Sequence, residues 1–191
     1  MHLSVMSCPT HLFTPRLTLR QWRPSDLGPF AAMNSDSDIM RYYPMPWSSE
    51  QSDGFAERVR RLIDERGWGF WAVEEEASGL FIGFVGLHTP SNELPFSPCV
   101  EVGWRLAKSY WGQGYATEAA HAAIRFAFEQ LHLTELVAFT AMANLKSRAV
   151  MQRIGMQFVS EFDHPNVPVE SGLRRHVLYN LCSPRCERPS W

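Results

Sequence analysis

Residues 110–118 read Tyr-Trp-Gly-Gln-Gly-Tyr-Ala-Thr-Glu, between an apolar, strand-like run at 100–106 and a long alanine-rich run. A Gly-x-Gly at a strand-to-helix junction gathers several backbone N–H groups at a helix N-terminus. That is an anion site suited to a phosphate or pyrophosphate, and it points to capture of a phosphate-bearing cofactor. Two related motifs are excluded. No Gly-Lys-Ser/Thr follows, so this is not a P-loop. The third glycine of a dinucleotide fingerprint is missing, and no βαβ unit opens the chain.

The elements that must position this turn follow from apolar periodicity. Residues 16–22 alternate, Leu17, Leu19 and Gln21 against Thr18, Arg20 and Trp22, as a first strand. Pro24 begins a helix with Leu27, Phe30, Ala31 and Met33 on its apolar side, and 36–43 reads as a short second helical piece ended by Pro44 and Pro46. Ser48-Ser-Glu-Gln51 is a capping box opening a helix through Phe55, Val59, Leu62 and Ile63 that stops near Gly67. Strands at 68–75 and 80–88 form a hairpin across Ala77-Ser-Gly79, and a proline-bearing loop spans 89–98.

Strand four is 100–106, and the glycine turn leads into a helix at 115–131. Ala116, Ala119, Ala120, Ala123, Ile124, Ala127 and Phe128 give that helix a small-residue face able to lie close to a sheet. Strand five is 135–142, a helix at 144–154 ends at Gly155, and 156–162 and 173–181 are the last strands. Antiparallel strands followed by a β-α-β-α-β-β half make a mixed α/β sheet of about seven strands flanked by helices.

Composition excludes several function classes. The 191 residues are 45% hydrophobic and 20% charged, ordinary for a soluble globular protein. With 18 basic and 20 acidic residues the net charge is −2, and no basic stripe suggests nucleic acid as a partner. Arg58, Arg60 and Arg61 interleave with Glu57, Asp64 and Glu65, the pattern of a solvated helix face. No apolar run is long enough to span a membrane. The opening Met-His-Leu-Ser-Val-Met-Ser-Cys lacks a signal peptide's cationic and apolar regions, so no membrane partner and a cytoplasmic location are expected. Cys8, Cys99, Cys182 and Cys186 do not fall into metal-ligand pairs, and no metal is expected.

Two motifs, Trp111-Gly-Gln-Gly-Tyr-Ala116 and Asn144-Leu-Lys-Ser147-Arg-Ala-Val-Met-Gln-Arg-Ile-Gly155-Met156, stand one helix and one strand apart. In order and spacing the chain resembles the GCN5-related N-acetyltransferase (GNAT) superfamily. Pro15-Arg-Leu-Thr-Leu-Arg20 and Val100-Glu-Val-Gly-Trp104 are similar to the branch of the ribosomal-protein N-terminal acetyltransferases RimJ and RimL. The resemblance covers about 14–181, which implies a single acetyltransferase domain with tails at 1–13 and 182–191. It also implies a sheet whose strands four and five splay apart. The implied donor is acetyl-CoA, with its pyrophosphate on the amides of Gln113, Gly114, Tyr115, Ala116 and Thr117. Its pantetheine would run beside Val102, Trp104 and Leu106, with Asn144 and Ser147 near the thiol. Trp111 stands where the family usually has Gln or Arg. Met151 stands where many relatives carry a tyrosine that protonates the leaving thiolate, which leaves Ser147 as the nearest candidate acid.

Amide formation needs a neutral amine. At pH 7 that costs about 1 kcal/mol for an α-amino group and about 4.6 kcal/mol for a lysine, so an α-amine needs only a modest base. By resemblance the acceptor is a protein N-terminal α-amine. A small amine (amino acid, polyamine or antibiotic) is the alternative, and a non-catalytic acyl-CoA-binding module is a second, supported by Met151. Glu101 is the candidate base: strand four alternates Val100, Val102, Trp104 and Leu106 against Glu101, Gly103 and Arg105, and a carboxylate where the strands part takes the amine proton through water. The plain alternative is a Glu101–Arg105 charge pair. His88 ends its strand as an acceptor-lining residue or second base. Tyr42-Tyr43-Pro-Met-Pro46 is the candidate acceptor wall; Trp47 and Trp68 are further aromatics, and Trp71 is read as core. Glu118 complements the helix dipole. A homodimer is the default assembly.

Overall fold

The computed structural model describes residues 11–90 and 93–184. The expectations placed on the first ten residues, including Cys8, and on Cys186 lie outside them. One eight-stranded sheet has the order β1-β2-β3-β4-β5-β6-β8-β7. Its strands are β1 Leu12–Phe13, β2 Leu17–Arg20, β3 Phe70–Glu75, β4 Leu80–His88, β5 Glu101–Leu106, β6 Glu135–Ala141, β7 Gln157–Asp163 and β8 Arg175–Cys182. The helices are α1 Leu27–Ser35, α2 Ser49–Arg66, α3 Tyr115–Glu129 and α4 Leu145–Arg153. All neighbouring strands are antiparallel except β5 and β6.

Three local expectations change. The additional strand is β1, which pairs Leu12 with Leu19 and Phe13 with Thr18, so part of the expected leader belongs to the sheet. β8 runs through Cys182, one residue into the expected tail. Residues 36–43 form turns rather than a helix. The Asp36 carboxylate accepts from the amides of Asp38 (2.7 Å) and Ile39 (3.2 Å), and a side chain that captures local N–H groups competes with the helical ladder. By contrast, α2 starts at the Ser48–Gln51 capping box and ends at Gly67 in the left-handed region, φ 81°.

The sheet is covered on both faces. On one lies α3, whose Ala119, Ala120, Ala123 and Ala127 are 0% exposed; their short side chains let the helix settle on the strands, with Trp71 edge-on to Phe126 at 5.3 Å. On the other, α1 and α2 enclose Trp22, Phe30, Phe55, Phe70 and Phe84. A second cluster, Leu94, Val137, Phe162 and Leu178 with Phe96 and Phe139, fills the β6–β8–β7 half. Among the described residues no helix is long and apolar enough to cross a membrane.

A candidate active site where two strands part

β5 and β6 share a single parallel register pair, Glu101 with Val137, clamped by Val137 N–H donating to the Val100 carbonyl at 3.0 Å. No pairing continues beyond it, so the strands diverge toward the glycine turn. Residues two apart on a strand send their backbone groups to the same edge. Trp104, level with Val100 in that alternation, therefore presents its N–H and C=O to the gap. Leu106 is on the same edge, but its carbonyl already accepts from Trp111 Nε1 at 2.8 Å.

The turn at the mouth of the gap is built to leave amides open. Gly112 and Gly114 adopt φ 75° and 83°, left-handed values that glycine takes without strain. Gly114 is the N-cap of α3 and offers no side chain to its first amides. The first helical bond is Glu118 N–H to the Gly114 carbonyl at 3.0 Å, and no acceptor among the described residues meets the amides of 112–117. Those donors sit at the positive end of the α3 dipole, an arrangement that holds phosphate oxygens.

Glu118 does more than complement that dipole. Its carboxylate accepts from Thr14 Oγ1 (2.7 Å), the Arg16 amide (2.9 Å) and Arg16 Nε (2.7 Å), tying the β1–β2 corner to the first turn of α3. Arg16 Nη1 donates to the Gln113 carbonyl at 3.0 Å, and its guanidinium lies 4.4 Å from the Tyr115 ring centre. Holding the Gln113 carbonyl on the Arg16 side turns the Gly114 N–H of the same peptide the other way. In sequence Arg16 figures as the start of a strand and in the Pro15–Arg20 motif; its contact with residue 113 comes from the fold.

Glu101 stands at the last paired position, opposite His88 on β4. Among the described residues nothing donates a hydrogen bond to its carboxylate, and burial pushes its carboxyl up to about 8. A Cβ on Gly103 would crowd the Phe70 ring at 3.0 Å and meet Glu101 Oε1 at 3.5 Å, so the carboxylate lies along the strand over a position where a side chain would press on Phe70. His88 stacks on Phe70 at 5.3 Å. Burial first, then the Arg66 and Arg58 charges, lower its pKa to about 4. His88 is thus neutral near pH 7 and a far weaker base than Glu101. The Glu101–Arg105 charge pair does not form: Arg105 Nη1 donates to Asn34 Oδ1 at 2.6 Å.

Across the gap, Asn144 caps α4. Its Oδ1 accepts from the Ser147 amide at 3.2 Å, and its Nδ2 donates to Thr140 Oγ1 (3.0 Å) and Ser147 Oγ (3.2 Å). This joins the end of β6 to the start of α4. Lys146 Nζ lies 4.1 Å from the Trp111 ring centre, bringing α4 against the glycine turn. Met151 is 2% exposed and supplies no proton donor. From Val137 to Ala141 a strand advances about 13 Å, so Ser147 lies well along the gap from Glu101 and the two do not form a dyad. Asn144→Ala is expected to cost about 1 kcal/mol, typical of a lost N-cap, and to lower the melting temperature by roughly 2–4 °C in a scanning-fluorescence or calorimetric melt.

The sequence-derived residues therefore fall into three groups around one gap. Gln113, Gly114, Tyr115, Ala116 and Thr117 form the open-amide turn. Val102, Trp104 and Leu106 lie on the β5 edge that faces the gap, with Val102 inside the one bridge to β6 and the Leu106 carbonyl taken by Trp111; Asn144 and Ser147 form the α4 wall. Glu101 and His88 share the α1–α2 side of the sheet. Tyr43 packs over Arg105 from the α1–α2 loop, where Tyr42 is half-buried, and Trp47 joins the same cage. Trp71 is core, while Trp68 carries the Arg66 guanidinium on its ring at 3.7 Å. Among the described residues no cluster of His, Cys, Asp and Glu is placed to hold a metal.

The acetyltransferase (GNAT) domain family matches residues 16–157. The chain is 28% identical over 167 residues to YkkB, an uncharacterised protein of Bacillus subtilis, covering 86% of this chain and 95% of that one. It is 36% identical over 132 residues to the FsC-acetyl coenzyme A-N(2)-transacetylase of Aspergillus fumigatus, covering 65% of this chain and 55% of that protein. Among solved structures, a GNAT-family acetyltransferase from Bacillus anthracis superposes with a TM-score of 0.76 at 24% identity, over 90% of this chain and 98% of that one.

Proposed function

The chain belongs to the GNAT acetyltransferase family, and from that premise we propose that this N-acetyltransferase works in the cytoplasm on a protein N-terminal α-amine. GNAT enzymes use acetyl-CoA, which when bound supplies the acetyl group as a thioester. The observation that carries the site reading is the run of amides at 112–117, without an acceptor among the described residues, opening onto a gap with Glu101 at its closed end.

In this reading the amides of Gln113, Gly114, Tyr115, Ala116 and Thr117 hold the pyrophosphate. Val102, Trp104 and Leu106 border the pantetheine arm, and Asn144 and Ser147 flank its thiol end. The Trp104 N–H polarises the acyl oxygen from the strand edge. Glu101 takes the amine proton through water, and a carboxyl poised at about 8 is a better-matched base than an ordinary carboxylate. A thiol has a pKa of about 8.5, so its anion leaves with little acid assistance, which makes Met151 tolerable at the family's tyrosine position.

The α-amine assignment is supported by the likeness of 15–20 and 100–104 to the RimJ and RimL branch and by the low cost of a neutral α-amine. A small-amine acceptor is the second reading; the Aspergillus relative, by its name an N(2)-transacetylase using acetyl coenzyme A, carries no mark of a ribosomal-protein acceptor. Thiol release from acetyl-CoA, measured across peptides with free N-termini, amino acids, polyamines and aminoglycosides, is expected to be fastest with peptides. Faster turnover of a small amine would move the assignment to the second reading. Tight CoA binding without turnover on any amine would mark a binding module instead.

A further inference from the structure

The face of β5 that carries Glu101 also carries Arg105, which is 7% exposed. Its guanidinium lies 4.2 Å from the Tyr43 ring centre and 4.5 Å from that of Trp47, and among the described residues only Nη1 has a hydrogen-bond partner, Asn34. Nε is buried and donates to nothing. No carboxylate among the described residues comes within ion-pair distance. Arginine does not shed its proton, so a buried cation stands here without a counter-ion among the described residues, an arrangement proteins avoid unless something completes it.

The other flank of the same face repeats the pattern. Arg66 donates through Nε to the Trp68 carbonyl at 3.0 Å, yet among the described residues its buried Nη2 has no acceptor and it makes no ion pair. Arg58 lies over the Phe55 ring at 5.5 Å and makes no ion pair among the described residues. The field of Arg66 and Arg58 is felt at His88, beside Glu101. Two arginines, Arg66 and Arg58, thus act on one end of this face, where Glu65 partly offsets Arg66, and Arg105 stands at the other.

We propose that the acceptor bears a carboxylate, held by the Nε–Nη2 edge of Arg105 while its amine lies at Glu101, and that polycationic amines are turned away. That edge is the fork that binds a carboxylate through two parallel hydrogen bonds. Tyr43, 36% exposed, leaves the guanidinium one ring from solvent. Four residues of strand separate Glu101 from Arg105 by about 13 Å, a span that suits an acid several bonds from the amine rather than an α-amino acid's own carboxylate. The inference rests on the transferase reading and names the class of acceptor within it.

The test uses matched acceptors in the thiol-release assay: the peptide amides Ala-Gly-Glu, Ala-Gly-Gln and Ala-Gly-Lys, aminocaproate and its amide, and spermidine. With the native protein, each acid is expected to exceed its neutral twin in kcat/KM by about tenfold or more, as a charged hydrogen-bonded pair would give. The peptide and aminocaproate arms tell a protein terminus from a free amino acid as the source. Arg105→Gln is expected to bring the acids down to the neutral level, with Arg105→Lys in between. A native ratio near one, or preference for the lysine peptide or spermidine, would overturn the inference and leave the transferase reading standing; this comparison needs no variant to fold. No transfer to any acceptor, with acetyl-CoA still bound in a thermal-shift assay, would overturn the transferase reading and this inference with it.

Discussion

Glu101→Gln is expected to lower kcat/KM by about a hundredfold or more, the usual contribution of a positioned base. Glutamine keeps the shape of the side chain over Gly103 and removes only the ability to take a proton. The pH dependence makes the test specific. The native carboxyl titrates at about 8, so kcat/KM should climb through that value and level off above it. An acceptor amine with a pKa well below this range keeps its own titration out of the profile. In the variant the climb should vanish.

Stability moves the opposite way. The folded pKa lies above the ordinary 4.5, so the fold favours the protonated form. That contribution is fully present below about pH 4.5 and is lost as pH rises to about 8. Glu101→Gln should therefore be no less stable than the native protein at pH 9, and a melt at that pH separates lost catalysis from lost structure. Equal kcat/KM in both proteins across pH 6 to 9 would remove Glu101 from the mechanism.

Gly114→Ala should raise KM for acetyl-CoA by about 5- to 30-fold with little change in kcat. The residue sits at φ 83°, and an added Cβ would meet Arg16 Nη2 only at an ordinary 3.5 Å, so the penalty comes from backbone strain rather than collision. Left-handed geometry costs a non-glycine residue about 1–2 kcal/mol, and the turn relieves it by moving the amides that face the phosphates. Gly79 is the control. It has φ 67°, open space around it and a place in the β3–β4 turn, away from the gap. Gly79→Ala should lower the melting temperature by a similar amount and leave KM unchanged. Identical KM values for the two variants would show that the glycine turn does not hold the donor.

Much of the site was legible because it rests on local rules. A positive-φ turn needs glycine, a helix start needs a cap, and strand alternation put Glu101 and Arg105 on one face; each signal spans a few residues. The failures were also local. Residues 36–43 have helical apolar spacing, but the Asp36 carboxylate captures the amides that a helix would use. Leu12 and Phe13 carry too short a pattern to read as a strand until β2 pairs with them.

From the chain alone came the family resemblance, the candidate donor turn and the identity of the candidate base, because these depend on residue type and near-neighbour spacing. The tertiary structure decided how those residues are charged and what surrounds them. Glu101 becomes a stronger base than an ordinary carboxylate because burial disfavours its charged form, and His88 becomes neutral because burial and two arginines brought from α2 act on it. Arg105 loses the partner expected beside it and gains Asn34, Tyr43 and Trp47 from 58 or more positions away. Desolvation and through-space charge depend on distances set by packing, which strand alternation by itself does not encode.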